Sequence, residues 1–191
     1  LQEFLNKKYF INENIGFATG EFCATFKTAD GEITWTPIFI DDGYYGDTEM
    51  YGIYFLDENI GYATGVHGRI VKTIDGGKTW IQNSITYDNI SQITFLTSNI
   101  GYCLVGNSFL KTTDAGKTWN NIGSPLQNEY TGRFDFINEK IGFALVGGTL
   151  GTSGNTGSVF KTTDGGISWA KMNNDYQIIT ENLYSIDFIN E

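Results

Sequence analysis

Hydrophobic residues in this chain come in short bursts. Runs such as Ile53-Tyr54-Phe55-Leu56, Ile93-Thr94-Phe95-Leu96 and Phe134-Asp135-Phe136-Ile137 are rich in β-branched and aromatic side chains and are closed by polar turn formers and glycine. That is the pattern of short strands. No window of eleven or more residues carries apolar side chains at helical spacing, and 24 glycines in 191 residues would interrupt one. Almost no helix is expected.

The bursts recur with the same punctuation. Each is followed by one of Asn14-Ile15-Gly16-Phe17-Ala18, Asn59-Ile60-Gly61-Tyr62-Ala63, Asn99-Ile100-Gly101-Tyr102-Cys103 or Lys140-Ile141-Gly142-Phe143-Ala144. Downstream comes a second phrase, Thr28-Ala29-Asp30-Gly31-Glu32-Ile33-Thr34-Trp35 in the first copy and Thr73-Ile74-Asp75-Gly76-Gly77-Lys78-Thr79-Trp80 in the second. The third and fourth copies run from Thr112 through Asp114 to Trp119 and from Thr162 through Asp164 to Trp169. All four tryptophans of the chain therefore hold one repeated position. The aspartates stand 45, 39 and 50 residues apart, a period that suits a four-stranded unit.

One unit reads as strand A, a turn before Gly, strand B, a loop, strand C ending in Lys-Thr, the Asp-Gly turn, and strand D from Trp. Both faces of such a sheet are apolar and need cover, which radial stacking supplies. The expected fold is an all-β β-propeller of four-stranded antiparallel blades, at about residues 5–39, 50–84, 90–123 and 131–173. Leu183 to Glu191 resembles the start of a further blade, either within a larger propeller or closing a small ring onto blade one. The Asp side chain and the preceding Thr can accept N–H groups across a tight turn, and Gly at the fifth position can take positive φ. Glu32 breaks that pattern, so the first turn should be strained or differently shaped. The indoles of Trp35, Trp80, Trp119 and Trp169 should lie between neighbouring blades.

The phrases resemble the Asp-box, or bacterial neuraminidase repeat, Ser/Thr-x-Asp-x-Gly-x-Thr/Ser-Trp. Taken with the Ile-Gly-Tyr-Ala phrase, they more closely resemble the repeats of the photosystem II stability and assembly factor-like family. Residues 51–80 match best, 93–119 and 134–169 nearly as well, and 9–35 less well. The resemblance implies a propeller, usually of about seven blades, in an exported or cell-envelope protein. It implies little about function, because Asp-boxes also occur in sialidases, xyloglucan-active glycosidases and sortilin-type receptors.

Blade geometry puts the A–B and Asp-box turns on one face and the B–C and D–A loops on the other. Sequence variation concentrates on the second face, where binding residues are therefore sought. The first D–A connection holds Asp41, Asp42, Tyr44, Tyr45, Asp47 and Glu49. The second B–C turn holds His67 and Arg69, and the third D–A connection holds Pro125, Asn128, Glu129 and Tyr130. From these, Asp41, Asp42, Tyr44, Tyr45, Asp47, His67, Arg69 and Tyr130 form the candidate ligand-binding set. Asp30, Asp75, Asp114 and Asp164 of the Asp-boxes are structural.

Catalytic chemistry finds little material. A sialidase site needs three arginines, and the chain has only Arg69 and Arg133. A glycosidase needs two carboxylates opposed across a cleft, whereas Asp41, Asp42, Asp47 and Glu49 cluster in one connection. Those acids could offer oxygens to calcium but lack EF-hand spacing, so no metal and no cofactor is expected. His67 is the only histidine. Cys103 fills a strand-B slot otherwise held by alanine, and no disulfide with Cys23 is expected.

With 22 acidic and 12 basic residues, the net charge of −10 disfavours nucleic acid and anionic lipid. It also departs from the basic partner-binding patch of the resembling family. No stretch is apolar enough to insert in a membrane. The expected function is a non-enzymatic propeller module of an exported, extracellular or envelope protein, binding a protein or glycan through its variable face. The alternative is part of a carbohydrate-active hydrolase whose site is completed elsewhere.

Overall fold

The computed structural model describes residues 5–20, 24–40, 49–83, 85, 88–124, 130–147 and 158–172. Among these lie four four-stranded antiparallel sheets, each with its strands in chain order. The first comprises β1 (Leu5–Phe10), β2 (Gly16–Gly20), β3 (Thr25–Thr28) and β4 (Thr36–Ile38). The second comprises β5 (Met50–Phe55), β6 (Gly61–Gly65), β7 (Ile70–Thr73) and β8 (Ile81–Gln82). The third holds β9 (Ile90–Phe95), β10 (Gly101–Val105), β11 (Ser108–Thr112) and β12 (Asn120–Gly123). The fourth holds β13 (Tyr130–Phe136), β14 (Gly142–Gly147), β15 (Ser158–Thr162) and β16 (Ala170–Lys171). They are successive propeller blades. The single helical feature among the described residues is a 3-10 turn at Val66–Gly68. The segment 183–191 lies outside the described residues.

The core sits between blades. Phe17 of blade one packs with Ile53, Phe55, Val71 and Trp80 of blade two, and Tyr62 of blade two with Ile93 and Phe95 of blade three. Tyr102 and Phe109 of blade three meet Phe134, Phe136 and Phe160 of blade four. The strand-B aromatic of each blade lies flat on the strand-A phenylalanine of the next, with ring centroids at 3.4 Å for Phe17–Phe55, 4.2 Å for Tyr62–Phe95 and 3.8 Å for Tyr102–Phe136. The glycine opening strand B makes the stack possible. A Cβ at Gly101 would meet the Phe95 ring at 2.6 Å, and one at Gly142 would meet Phe136 at the same distance.

The indoles close these interfaces. Trp80 is buried against Phe55, and Trp169 stacks on Phe109 of the preceding blade at 5.1 Å. Each regular strand D begins one residue after its tryptophan, because the indole still belongs to the turn. Trp80 Nε1 donates to the Gly77 carbonyl at 3.1 Å and Trp169 Nε1 to that of Gly166 at 3.0 Å. In blade three the corresponding Gly116 carbonyl accepts from Asn83 Nδ2 at 2.7 Å, and Trp119 Nε1 is buried without a partner.

The four Asp-box turns share one hydrogen-bond set. In the second, Thr79 N–H and Thr79 Oγ1 donate to the two Asp75 oxygens at 2.9 and 2.6 Å, and Thr73 Oγ1 donates to Asp75 Oδ1 at 2.8 Å. Thr73 Oγ1 in turn accepts from Gly77 N–H at 2.9 Å. These donors hold the Asp75, Asp114 and Asp164 carboxyls down at about 2, and they lower that of Asp30 as well. Two consecutive positions are left-handed, the fourth as well as the fifth: Gly76 has φ 73 and Gly77 φ 88. Glu32 takes the fifth position at φ 75 and donates its N–H to Thr28 Oγ1 at 3.1 Å, so the first turn keeps the common shape under strain. Ala115 holds the fourth position of the third turn at φ 60.

Candidate partner-binding face

The antiparallel pairing sorts the loops as expected. Asp-box turns lie beside A–B turns, with Gly31, Gly76 and Gly165 donating their N–H to the carbonyls of Asn14, Asn59 and Lys140 at 2.9–3.0 Å. The opposite end carries the B–C turns and the D–A connections. Its best-defined part belongs to blade two.

There the 3-10 turn projects His67 into solvent at φ 55. The neighbouring backbone fixes it: Val66 N–H donates to the Glu49 carbonyl, Arg69 N–H to the Val66 carbonyl, and His67 N–H to Asn89 Oδ1, each at 3.1 Å. Asn89 leads into blade three and accepts Gly106 N–H on its own carbonyl at 3.3 Å. Two of these contacts thus tie the turn to the start of its own blade at Glu49 and to the entry of blade three at Asn89. Glu49 accepts the Tyr51 hydroxyl at 2.8 Å, which places an oriented carboxylate near the same rim.

Arg69 has a different setting from His67. It is 2% exposed, with a guanidinium nitrogen 3.8 Å from Met50 Sδ, so it supports the rim from beneath rather than presenting its charge. Asp41, Asp42, Tyr44, Tyr45 and Asp47 lie outside the described residues, as do Pro125, Asn128, Glu129 and Cys23. Tyr130 opens β13, paired with Gly147 at the same end of blade four. Two of the candidates, His67 and Arg69, are therefore seen together. Asn89 and the Glu49–Tyr51 pair join them, and sequence alone had not marked Asn89 or Tyr51. Cys103 is fully buried, and burial pushes its thiol up and away from reactivity. Among the described residues no group of three or more His, Cys, Asp or Glu side chains is placed to hold a metal ion.

A second repeated constellation occupies the Asp-box face. Cross-strand register sets Phe17 opposite Lys27, Tyr62 opposite Lys72, Tyr102 opposite Lys111 and Phe143 opposite Lys161. Each ammonium lies over its ring at 5.1–5.6 Å from the centroid. Lys72 Nζ then donates to the Ala115 carbonyl of the next Asp-box at 3.1 Å, and the Tyr62 hydroxyl donates to the same oxygen at 3.0 Å. Burial lowers the Lys72 ammonium and pushes Tyr62 and Tyr102 up to about 12. Lys72 thus latches blade two to blade three. The signal in the sequence was the invariable pairing of an aromatic after the strand-B glycine with a lysine before the Asp-box threonine.

Four-stranded blades, Asp-box turns and interleaved indoles define an Asp-box β-propeller. Residues 43–144 match the sequence profile of the family described as photosynthesis system II assembly factor YCF48. The chain belongs to that family. No curated protein sequence matches it. Among solved structures it is similar to YCF48 bound to D1 peptide, at 16% identity and a TM-score of 0.56, over 97% of this chain and 87% of that one. YCF48 from Cyanidioschyzon merolae is similar at 16% identity and a TM-score of 0.65, over 97% of this chain and 63% of that one. An ancestral GH74 enzyme is similar at 13% identity and a TM-score of 0.63, over 91% of this chain but 24% of the enzyme. The likeness to an enzyme concerns the blades, and at these identities it shows fold alone.

Proposed function

We propose that the chain is a non-enzymatic protein-binding module, working outside the cytoplasm, that recognises a polypeptide through the B–C and D–A face. The observation that carries this is membership of the YCF48 family together with a solved structure of the same fold, YCF48, in complex with a peptide. The geometry supports it. A rigid scaffold presents one exposed imidazole on a turn tied to two blades, with an oriented carboxylate nearby, and such preformed polar rims bind at low ordering cost. By its place in the repeat alone, as a D–A connection, the acid-rich segment with Asp41, Asp42, Tyr44, Tyr45 and Asp47 is proposed to belong to the same surface. The net charge of −10 favours a partner segment that is not acidic.

The test is site-specific photo-crosslinking of the full-length gene product. A photoreactive residue at position 67 should form adducts with a protein partner. One at Ile74, 63% exposed on the Asp-box face, should not. A polysaccharide hydrolysis screen bears on the hydrolase alternative. Cleavage that Asp47→Ala abolishes without lowering the melting temperature would overturn the binding-module proposal.

A further inference from the structure

Among the described residues, a left-handed backbone is held by three side-chain-bearing residues: Glu32 at φ 75, Ala115 at φ 60 and His67 at φ 55. Two of them have a reason in the repeat. Glu32 and Ala115 stand in Asp-box turns, whose hydrogen bonds impose that shape on whatever residue the position carries, and Glu32 also pairs with Lys8. His67 belongs to no repeated turn. The B–C turn of blade three takes its left-handed residue as glycine, Gly106, also at φ 55.

The strain at His67 returns nothing within the fold. Its N–H donates to Asn89 Oδ1 at 3.1 Å, a bond that glycine would keep. Its imidazole is exposed and makes no hydrogen bond, ion pair or ring contact among the described residues. A residue that strains its own turn and contacts nothing in the chain marks a contact made outside it. The turn also holds the ring in one place, through Val66 N–H on the Glu49 carbonyl and Arg69 N–H on the Val66 carbonyl, so little order remains to be gained on binding.

We infer that His67 is the specificity-determining contact of the partner-binding face, and that the segment it contacts carries lysine or arginine. This deepens the proposed function and rests on it. Glu49 and Asp88 flank the turn at this rim, Glu49 with its carboxylate oriented by the Tyr51 hydroxyl at 2.8 Å and Asp88 exposed beside Asn89. The turn's own cation, Arg69, is 2% exposed and directed inward, so it does not neutralise them. A cationic segment is drawn to the two carboxylates, and the imidazole sets its register through a flat face for stacking and ring nitrogens for hydrogen bonds.

The experiment pans a phage-displayed library of random dodecapeptides against the full-length gene product, then measures the selected peptides on His67→Gly, His67→Ala and Glu49→Gln variants. The selected peptides should be rich in lysine and arginine, and both His67 variants should bind them about tenfold more weakly, Glu49→Gln less so. His67→Gly should at the same time raise the melting temperature by about 1–2 °C, whereas His67→Ala, which keeps the strained backbone, should not. That split separates loss of a contact from damage to the turn. Peptides that bind both His67 variants as they bind wild type overturn this inference and leave the binding-module reading standing, and so does a selection dominated by acidic or apolar peptides. A His67→Gly variant that melts lower than wild type overturns the argument from strain. A library that yields no binding peptide overturns the module reading and this inference together.

Discussion

Ala115 is the residue whose replacement should stabilise this protein most cleanly. It holds the fourth position of the third Asp-box at φ 60, where the other three copies have Gly31, Gly76 and Gly165. A left-handed conformation costs a residue with a Cβ roughly 1–2 kcal/mol. Ala115→Gly removes that cost and gives back about 0.4–1 kcal/mol through the freer unfolded chain. The contacts of the site survive, because the Tyr62 hydroxyl and Lys72 Nζ both bind the main-chain carbonyl. The net gain should be about 0.5–1 kcal/mol, which moves the melting temperature up by about 2–3 °C in a chain of this size. Urea denaturation should show the midpoint displaced upward at constant slope. The mirror experiment is Gly165→Ala, where the new Cβ would stand 2.6 Å from the Glu139 carbonyl oxygen at φ 77. It should destabilise by at least as much as Ala115→Gly stabilises. If Ala115→Gly lowers the midpoint, the repeated left-handed pair is not where this turn stores its strain.

Glu32→Gly relieves the same kind of strain but forfeits the half-exposed Lys8 ion pair, worth about 0.2–1 kcal/mol. Its gain in urea melts should be smaller than that of Ala115→Gly and should grow with added salt. Trp80→Ala, at a buried indole that also donates to Gly77, should cost about 3–5 kcal/mol by denaturant melts. Trp35→Ala should cost distinctly less, since that ring is only half-buried. The Asp-box carboxyls are depressed from 3.8 to about 2 in the folded chain at Asp75, Asp114 and Asp164. Their stabilisation is therefore complete above about pH 4 and is lost as pH falls toward 2. Melting temperature should drop through that window, and Asp75→Asn should flatten the drop.

The blades were legible because their causes are local. An aromatic run, a glycine and an Asp-Gly turn each act within a few residues, so four copies announce four sheets before any tertiary contact is known. The fourth-position backbone was less legible, since Ala115 there obscured what three glycines would have suggested. The lysine–aromatic pairs were hidden for a different reason. Lys27, Lys72, Lys111 and Lys161 meet their rings only through the strand register, which sets each above an aromatic of the neighbouring strand, and Lys72 goes on to the Ala115 carbonyl of the next blade.

The variable face was legible only as a location. His67 was marked by being the sole histidine in a B–C turn, but what fixes it is Asn89, twenty-two residues away in the following blade. Arg69, its near neighbour in sequence, points into the protein because the 3-10 turn reverses the chain between them. Spacing along the chain cannot separate those two fates, since it is the left-handed pair His67 and Gly68 at the apex that turns one side chain out and the next strand in. Scaffold residues repeat and so testify four times over, whereas a binding rim is built once per molecule from loops that share no template. The asymmetry follows from the architecture: in a propeller the information that specifies fold is redundant, and the information that specifies partner is not.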